Sequence, residues 1–351
     1  MKKPNSLPRK QQGIAVLLIL LVFVMSASSF VLSAYGTRQD ILLSRQQELS
    51  YQMELAKANL LAYAANSHTI NNDGRGPGFF PCPDVLEVLD APDDCTGSIP
   101  MMGRLPEYDL VSSTGITMPL NNYYAGIDEQ FWYIVGPRYI FDSSSYTSSR
   151  HQSRRRTSTS YSLATDYRLT IDGETEYVAV IIAPGDALAT QDRASSPLNY
   201  TNYLDGQNGG SGFDLFTSYA SDPTLFNDRV IGITLDEYMK FVGIAVVRAM
   251  KQVLDADHGG GSYVSGPATP DPGDYDSTGS QSNFRTLFNS EANWLQQSIW
   301  SGVSSDNERW TRYSTYIRVD DDNFSIKFQG CDMIFSATFG VDTITRAGDS
   351  C

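Results

Sequence analysis

Asp320, Asp321, Asp322 and Asn323 stand in one run, and four oxygen-bearing side chains at a turn have the ligand chemistry of a calcium loop. Their spacing does not match an EF-hand, so a solvated turn is the expected state, with calcium as the alternative. No other cofactor is expected. His258-Gly259-Gly260-Gly261 has the composition of an oxyanion loop, but that chemistry needs a serine on a Gly-x-Ser-x-Gly elbow, and the chain has none. His68, His151 and His258 are the only histidines. They lack the paired spacing of a zinc site. There is no phosphate-binding Walker loop and no Rossmann glycine fingerprint. Carboxylates are abundant, and nothing in their order ranks one pair as an acid and a nucleophile. No residue emerges as catalytic, and no enzymatic activity is expected.

Cys82, Cys95, Cys331 and Cys351 are the only cysteines. None is separated from the next by two residues, so a four-cysteine zinc site is disfavoured and disulfides in an oxidising compartment are expected. Pairing of neighbours and the two crossed pairings all remain open on spacing alone. The 351 residues carry a formal charge of -14, and a polyanion would be repelled, so no nucleic-acid partner is expected. The basic cluster Arg154-Arg155-Arg156 lies between serine- and threonine-rich stretches and reads as an exposed loop.

The elements that must position these residues show in the periodicity. Ile14 to Thr37 is free of charge and follows a leader whose charges are Lys2, Lys3, Arg9 and Lys10. As a helix this stretch has the length to span a bilayer, with the basic leader inside and the bulk of the chain outside. From Arg38 to about Ala65, Leu42, Leu49, Met53, Ala56, Leu60 and Tyr63 recur at helical spacing, which predicts one amphipathic helix continuing outward. The alternative is two helices with a break near Ser33 to Gly36.

Beyond Gly74 to Pro83, strands are predicted within Asp128 to Ile140 and in a hairpin of Asp166–Gly173 and Thr175–Gly185. The hairpin turns at Asp172-Gly173, and Val178 to Ile182 is its buried part. Thr234-Leu235-Asp236-Glu237 reads as a capping box. It opens a helix that presents Tyr238, Val242, Ala245, Ala249 and Val253 and ends near His258. Trp310 to Val319 and Phe324 to Phe328 form an antiparallel pair around the Asp320–Asn323 turn, and Ile334 to Phe339 is a last strand. Asp84, Asp205, Asn208 and Asp228 suit the capping of backbone amides. Gln191 and Arg193 suit tying a loop to strands.

Three readings compete for the N-terminal segment: a secretory signal cleaved near Ser33, Ala34 and Gly36, an uncleaved anchor, and a third set by the junction Gly13/Ile14. A basic polar leader ending in glycine directly before an apolar run resembles the prepilin signal of type IV pilins and pseudopilins. The resemblance implies cleavage after Gly13, methylation of Ile14 and retention of the apolar helix. Removing the four leader charges would take the net charge from -14 to -18. A class of pilin-like proteins also resembles the chain in Pro81-Cys82-Pro83-Asp84, Gly103-Arg104-Leu105-Pro106, Ala179 to Gly185, Gln191-Asp192-Arg193, Asn199-Tyr200, Asn202 to Asn208, and Phe226-Asn227-Asp228-Arg229 with Ile233-Thr234. Glu107 stands where that class carries tryptophan.

What the resemblance implies is an α+β, pilin-like fold: a long N-terminal helix packed on an antiparallel sheet, enlarged by inserted loops and a further helix. The implied segments are a leader over 1–13, a transmembrane part over 14–37, an extracytoplasmic helix over 38–66 and a globular domain over 67–351. It implies pairing Cys82 with Cys95, and Cys331 with Cys351 as a terminal loop. The implied partners are other pilin or pseudopilin subunits, a prepilin peptidase, an inner-membrane assembly platform and membrane lipid. The implied place is the bacterial inner membrane, single-pass with a periplasmic domain, and then a cell-surface filament or pseudopilus. Pilins carry glutamate at the fifth residue after the cut, where this chain has Leu18, which implies a minor or tip subunit. The rival expectation is a membrane-anchored periplasmic binding module that does not assemble.

Overall fold

A computed structural model describes residues 9–70, 77–85, 101–106, 108–110, 117–119, 130–136, 139–140, 169–189, 191–194, 199–210, 215–218, 226–259, 314–320, 322–328 and 331–351. The first helix, α1 (Arg9–Ile70), runs unbroken for 62 residues, so Ser33 to Gly36 interrupts nothing. The helix contributes to two compact units, and the change falls between Gln52 and Met53.

In the first unit Leu20 to Met25 are all exposed. The Ser26 hydroxyl donates back to the Val22 and Phe23 carbonyls and that of Ser28 to Val24. The expectation of a transmembrane pass over 14–37 is corrected here, and with it the single-pass inner-membrane placement. Among the described residues no helix is long and apolar enough to cross a membrane.

The second unit is α+β, with helices packed against two antiparallel sheets. Its strands are β1 (Met101–Arg104), β2 (Tyr108–Leu110), β3 (Thr117–Pro119), β4 (Trp132–Val135), β5 (Leu169–Ile171), β6 (Glu174–Ala183), β7 (Leu215–Phe216), β8 (Arg229–Thr234), β9 (Ser314–Arg318), β10 (Asn323–Phe328), β11 (Ile334–Thr338) and β12 (Ile344–Ala347). The helix α2 (Leu235–Gly259) follows β8 directly. The first sheet has the order β1-β4-β6-β5-β7, with β8 also on β6. Its pairs are antiparallel except β5 with β7. The second sheet runs β12-β11-β10-β9, and β2 pairs with β3 alone.

The hairpin of β5 and β6 turns at Asp172 (φ 51°) and Gly173 (φ 89°). Both are left-handed, as a tight hairpin requires. Val178 to Ile182 are fully buried, so β6 is covered on both faces. On one face the second-unit part of α1 packs through Met53, Ala56, Leu60 and Tyr63. Burial, and then Tyr63 beside it, push the Tyr133 phenol of β4 well above its usual pKa. Tyr238 of α2 meets Tyr139 at 5.0 Å and Phe80 at 5.7 Å, and its hydroxyl donates to Gly78 O at 2.9 Å. On the other face Trp132, Ile134, Val180 and Ile182 form a cluster with Met102, Leu169, Tyr203, Leu204 and Phe216.

The helix α2 touches β6 and β8 of the first sheet and β11 and β12 of the second. Its buried stripe is Tyr238, Met239, Val242, Val246, Val247, Met250 and Leu254. The predicted Ala245, Ala249 and Val253 are half-buried flanks instead. The two sheets take the bulky row, and the alanine row falls to its side. At Gly243 an added Cβ would stand 2.7 Å from Phe335 Cζ, so β11 lies directly on the helix. Strand β12 has no alternating apolar pattern and was not foreseen; the ladder with β11 makes it a strand.

The capping box of α2 is formed. Thr234 N donates to Glu237 Oε2 at 2.9 Å, and Glu237 N to Thr234 Oγ1 at 3.2 Å. Lys57 of α1 joins Glu237 at 2.7 Å. Burial raises the Glu237 pKa, but the bonds from Lys57 and Thr234 outweigh it and hold the carboxyl below its usual value. A depressed carboxylate lends stability above the ordinary glutamate range and loses it as pH falls through the depressed value. Glu237→Ala should therefore lower stability by about 1 kcal/mol at neutral pH. In urea denaturation the gap to the unaltered chain should narrow as the pH is taken below the ordinary glutamate range.

Candidate functional site

The motifs spread along the chain between Gly185 and Asp228 come together at one end of β6. After β6 the backbone turns at Gly185, where an added Cβ would lie 2.1 Å from Asn227 Oδ1 and 2.7 Å from Asn227 O. Only glycine admits that approach. The segment from Tyr200 is two short 3-10 turns, Tyr200–Asn202 and Gly206–Gly209. Asn199 caps the first, accepting from Thr201 N at 3.1 Å. Gly206 opens the second at φ 51°.

Two carboxylates hold these turns to the start of β8, each serving the other's backbone. Asp228 Oδ2 accepts from Asp205 N at 2.7 Å, and Asp205 Oδ2 accepts from Asn227 N at 2.7 Å. Asn208, fully buried, donates to Asp228 Oδ2 at 3.0 Å and to Thr217 O at 3.1 Å, and accepts from Thr217 N at 2.8 Å. Gln191 donates to Asp205 Oδ1 at 2.8 Å and accepts from Leu188 N at 3.0 Å. Arg193 donates to Gln191 Oε1 and to Gly185 O, both at 2.9 Å. Burial lifts the Asp228 carboxyl to about 7. The Asp205 carboxylate adds to the rise, while the Asp205 amide, Asn208 and Arg193 oppose it.

Arg193 also stacks over the Tyr203 ring at 5.0 Å. Arg104 covers the same ring at 5.1 Å and Trp132 at 5.4 Å. Arg104 donates to the Tyr203 hydroxyl at 3.3 Å and to Gln130 Oε1 at 3.2 Å. Two guanidinium groups within about 6 Å of one tyrosine ring each gain cation–π attraction. The backbone of Arg104 is fixed by Asp84: each amide donates to the other's carbonyl at 2.8 Å. Gly103 is required there, since a Cβ would meet Asp84 O at 2.6 Å. The Pro81–Asp84 and Gly103–Pro106 motifs are thus one contact.

Asp205, Asn208 and Asp228 do order loops, and Gln191 and Arg193 do tie a loop down. Sequence reading missed Gln130, Trp132, Thr217 and the stacking of Tyr203. These partners lie up to 99 residues apart in the chain, and no spacing signals such a pairing.

Gly13 and Ile14 fall inside α1. Cys331 and Cys351 are bonded, with Cα atoms 4.0 Å apart. The tail they close is held by Asp236, which accepts from Cys351 N, and by Asp332, which accepts from Ser350 N at 2.8 Å. Cys82 is buried and disulfide-bonded; its expected partner Cys95 lies outside the described residues. Asp320 Oδ1 accepts from Asp322 N at 2.9 Å, from Asn323 N at 2.8 Å and from the Asn323 amide at 2.8 Å. Its carboxylate is thus engaged in closing the β9–β10 turn; Asp321 lies outside the described residues. Among the described residues no group of three or more His, Cys, Asp or Glu side chains could hold a metal ion.

No family model, curated protein or solved structure matches the chain.

The cluster is therefore read from its own geometry: it fastens a loop segment across the face of a sheet. Asn208→Ala would strip donors and acceptors from Asp228 and Thr217 at once. It should lower stability by about 2–3 kcal/mol in urea denaturation. Gly185→Ala should cost about 1–3 kcal/mol through overlap with Asn227, with the same readout.

Proposed function

We propose that this chain is a subunit, in a minor or tip position, of a helical filament of the type IV pilus or secretion-pseudopilus kind. The observation that carries this reading is Leu20 to Met25. These six consecutive apolar side chains of α1 are between 51% and 75% exposed. Successive helix residues step ~100° around the axis, so six of them face every direction. A helix apolar all round needs apolar cover on every side, and a bundle of like helices from neighbouring subunits supplies it. Ile41, Leu43, Tyr51 and Leu55 add further exposed apolar surface along the same helix. The reading requires no membrane span.

The second-unit half of α1, packed with α2 on the first sheet, supports the pilin-like form of the α+β fold. The partners are other subunits of the filament. A peptidase acting at Gly13/Ile14 and an assembly platform complete the pathway. Leu18 supports the minor position: it offers no carboxylate to a neighbouring subunit's buried N-terminal amine, so identical packing on all sides would leave that charge unpaired.

The test is to shear filaments from producing cells and to quantify the chain against the principal subunit by mass spectrometry. A small, reproducible fraction is expected. Phe23→Glu places a charge in the apolar stretch. It should lower that fraction roughly tenfold or more, while near-ultraviolet circular dichroism of the second unit stays unchanged. Absence of the unaltered chain from every sheared fraction, or equal incorporation of Phe23→Glu, overturns the reading.

A further inference from the structure

Asp205 and Asp228 are each 3% exposed, yet each carboxylate is aimed at the other's stretch of backbone. Two like charges so placed repel, and a pair of buried acids relieves that repulsion by keeping one proton. Their partners show which acid keeps it. Asp205 uses both oxygens, accepting from Gln191 on one and from Asn227 N on the other. Asp228 uses only Oδ2, which takes both the Asp205 amide and Asn208. Its Oδ1 is buried and, among the described residues, meets no hydrogen-bond partner. An ionised carboxylate would leave half its charge on that bare atom, and a neutral acid would not. The nearby charges acting on Asp228 are the Asp205 carboxylate, which opposes its ionisation, and the Arg193 guanidinium, which favours it. Arg193 is drawn to Gly185 O, Gln191 and the Tyr203 ring, so the guanidinium answers Asp205's own network as much as Asp228.

We propose that Asp228 is a proton-operated latch: as a neutral acid it holds the Tyr203–Gly209 segment on the start of β8, and surrender of the proton releases that segment. The segment carries Tyr203 and Leu204 of the apolar cluster beneath it, so release also loosens the cover over Trp132 and Ile134. The inference does not rest on the filament reading.

The native state binds this proton more tightly than the opened segment does. Closure is fully favoured below the ordinary aspartate pKa. The advantage is lost progressively as pH rises from there through about 7, and above that it no longer changes.

The experiment is amide hydrogen exchange on the full chain, corrected for the intrinsic pH dependence of exchange and followed at Asp205 N and Asn227 N, the two amides that donate to the crossed carboxylates. Protection should fall by roughly tenfold per pH unit between about pH 5 and about pH 7 and then level off. In Asp228→Asn, which cannot ionise, protection should stay level. A level profile in the unaltered chain overturns the latch, and so does an equal fall in the variant. Should Asp228→Asn fail to fold, the carboxyl carbon of Asp228 in the unaltered chain decides by its NMR titration. A midpoint near neutrality that coincides with the loss of amide protection supports the latch. A midpoint in the ordinary aspartate range overturns it.

Discussion

Strand β6 sets the terms for everything around it. Val178 to Ile182 are buried without a break, and the strand is paired by β4, β5 and β8. A strand apolar on both faces must be roofed twice. One roof is helical: the buried stripe of α1 from Met53 onward, together with α2. The other is a loop segment, and this is the harder roof to build. A helix satisfies its own backbone hydrogen bonds, whereas a loop laid over an apolar face brings amides and carbonyls that water no longer reaches.

The buried carboxylates and amides follow from that problem. Asp205, Asn208 and Asp228 supply acceptors where the loop has donors without partners, and Gln191 and Arg193 close the circuit from the strand end. Tyr203, with Arg104 and Arg193 both within cation–π reach, buries an aromatic ring in the cluster while its hydroxyl stays bonded. The arrangement spends charge in a place of low dielectric, where each paired group stabilises strongly and each unpaired one is costly. Asp228, with one engaged oxygen and one that meets no hydrogen-bond partner among the described residues, is where that balance is closest.

The helix α1 belongs to two different environments along one axis. From Met53 its apolar residues keep a helical period and face the core of their own chain. From Leu20 to Met25 they are continuous and face outward. The contrast separates apolar residues buried in the second unit from apolar residues exposed in the first. The disulfide between Cys331 and Cys351, the capping box of Thr234 and Glu237, and the Lys57 bridge all belong to the second unit: they secure α2 and the tail.

Local patterns were legible without the structure. The Asp172-Gly173 turn, the buried run of β6, the capping box, the Met53-Ala56-Leu60-Tyr63 stripe and the strands beside Asp320–Asn323 each depend on neighbours within a turn or a hairpin. Steric and hydrogen-bonding rules act at that range. The loop-ordering roles of Asp205, Asn208, Asp228, Gln191 and Arg193 were legible as types, because short polar side chains among glycines suit capping. Their partners were not. The sequence did not reveal β12, which has no apolar alternation and exists through pairing with β11. Nor did it reveal the true buried face of α2, which two sheets choose by accommodating Val246, Val247 and Met250 rather than Ala245 and Ala249. The apolar run at the N-terminus suggested a bilayer span that the described helix does not provide. By itself, then, the sequence determined the two long helices, the β5–β6 hairpin and the strands from β9 to β11, since those depend on contacts a few residues apart, while the short strands β1, β2, β3, β7 and β8, like β12, rest on their pairing partners. Only the tertiary structure decided that Asp205 and Asp228 share one buried site and that Arg104 reaches Tyr203, because long-range register is set by the packing of whole elements and leaves no periodic trace in the chain.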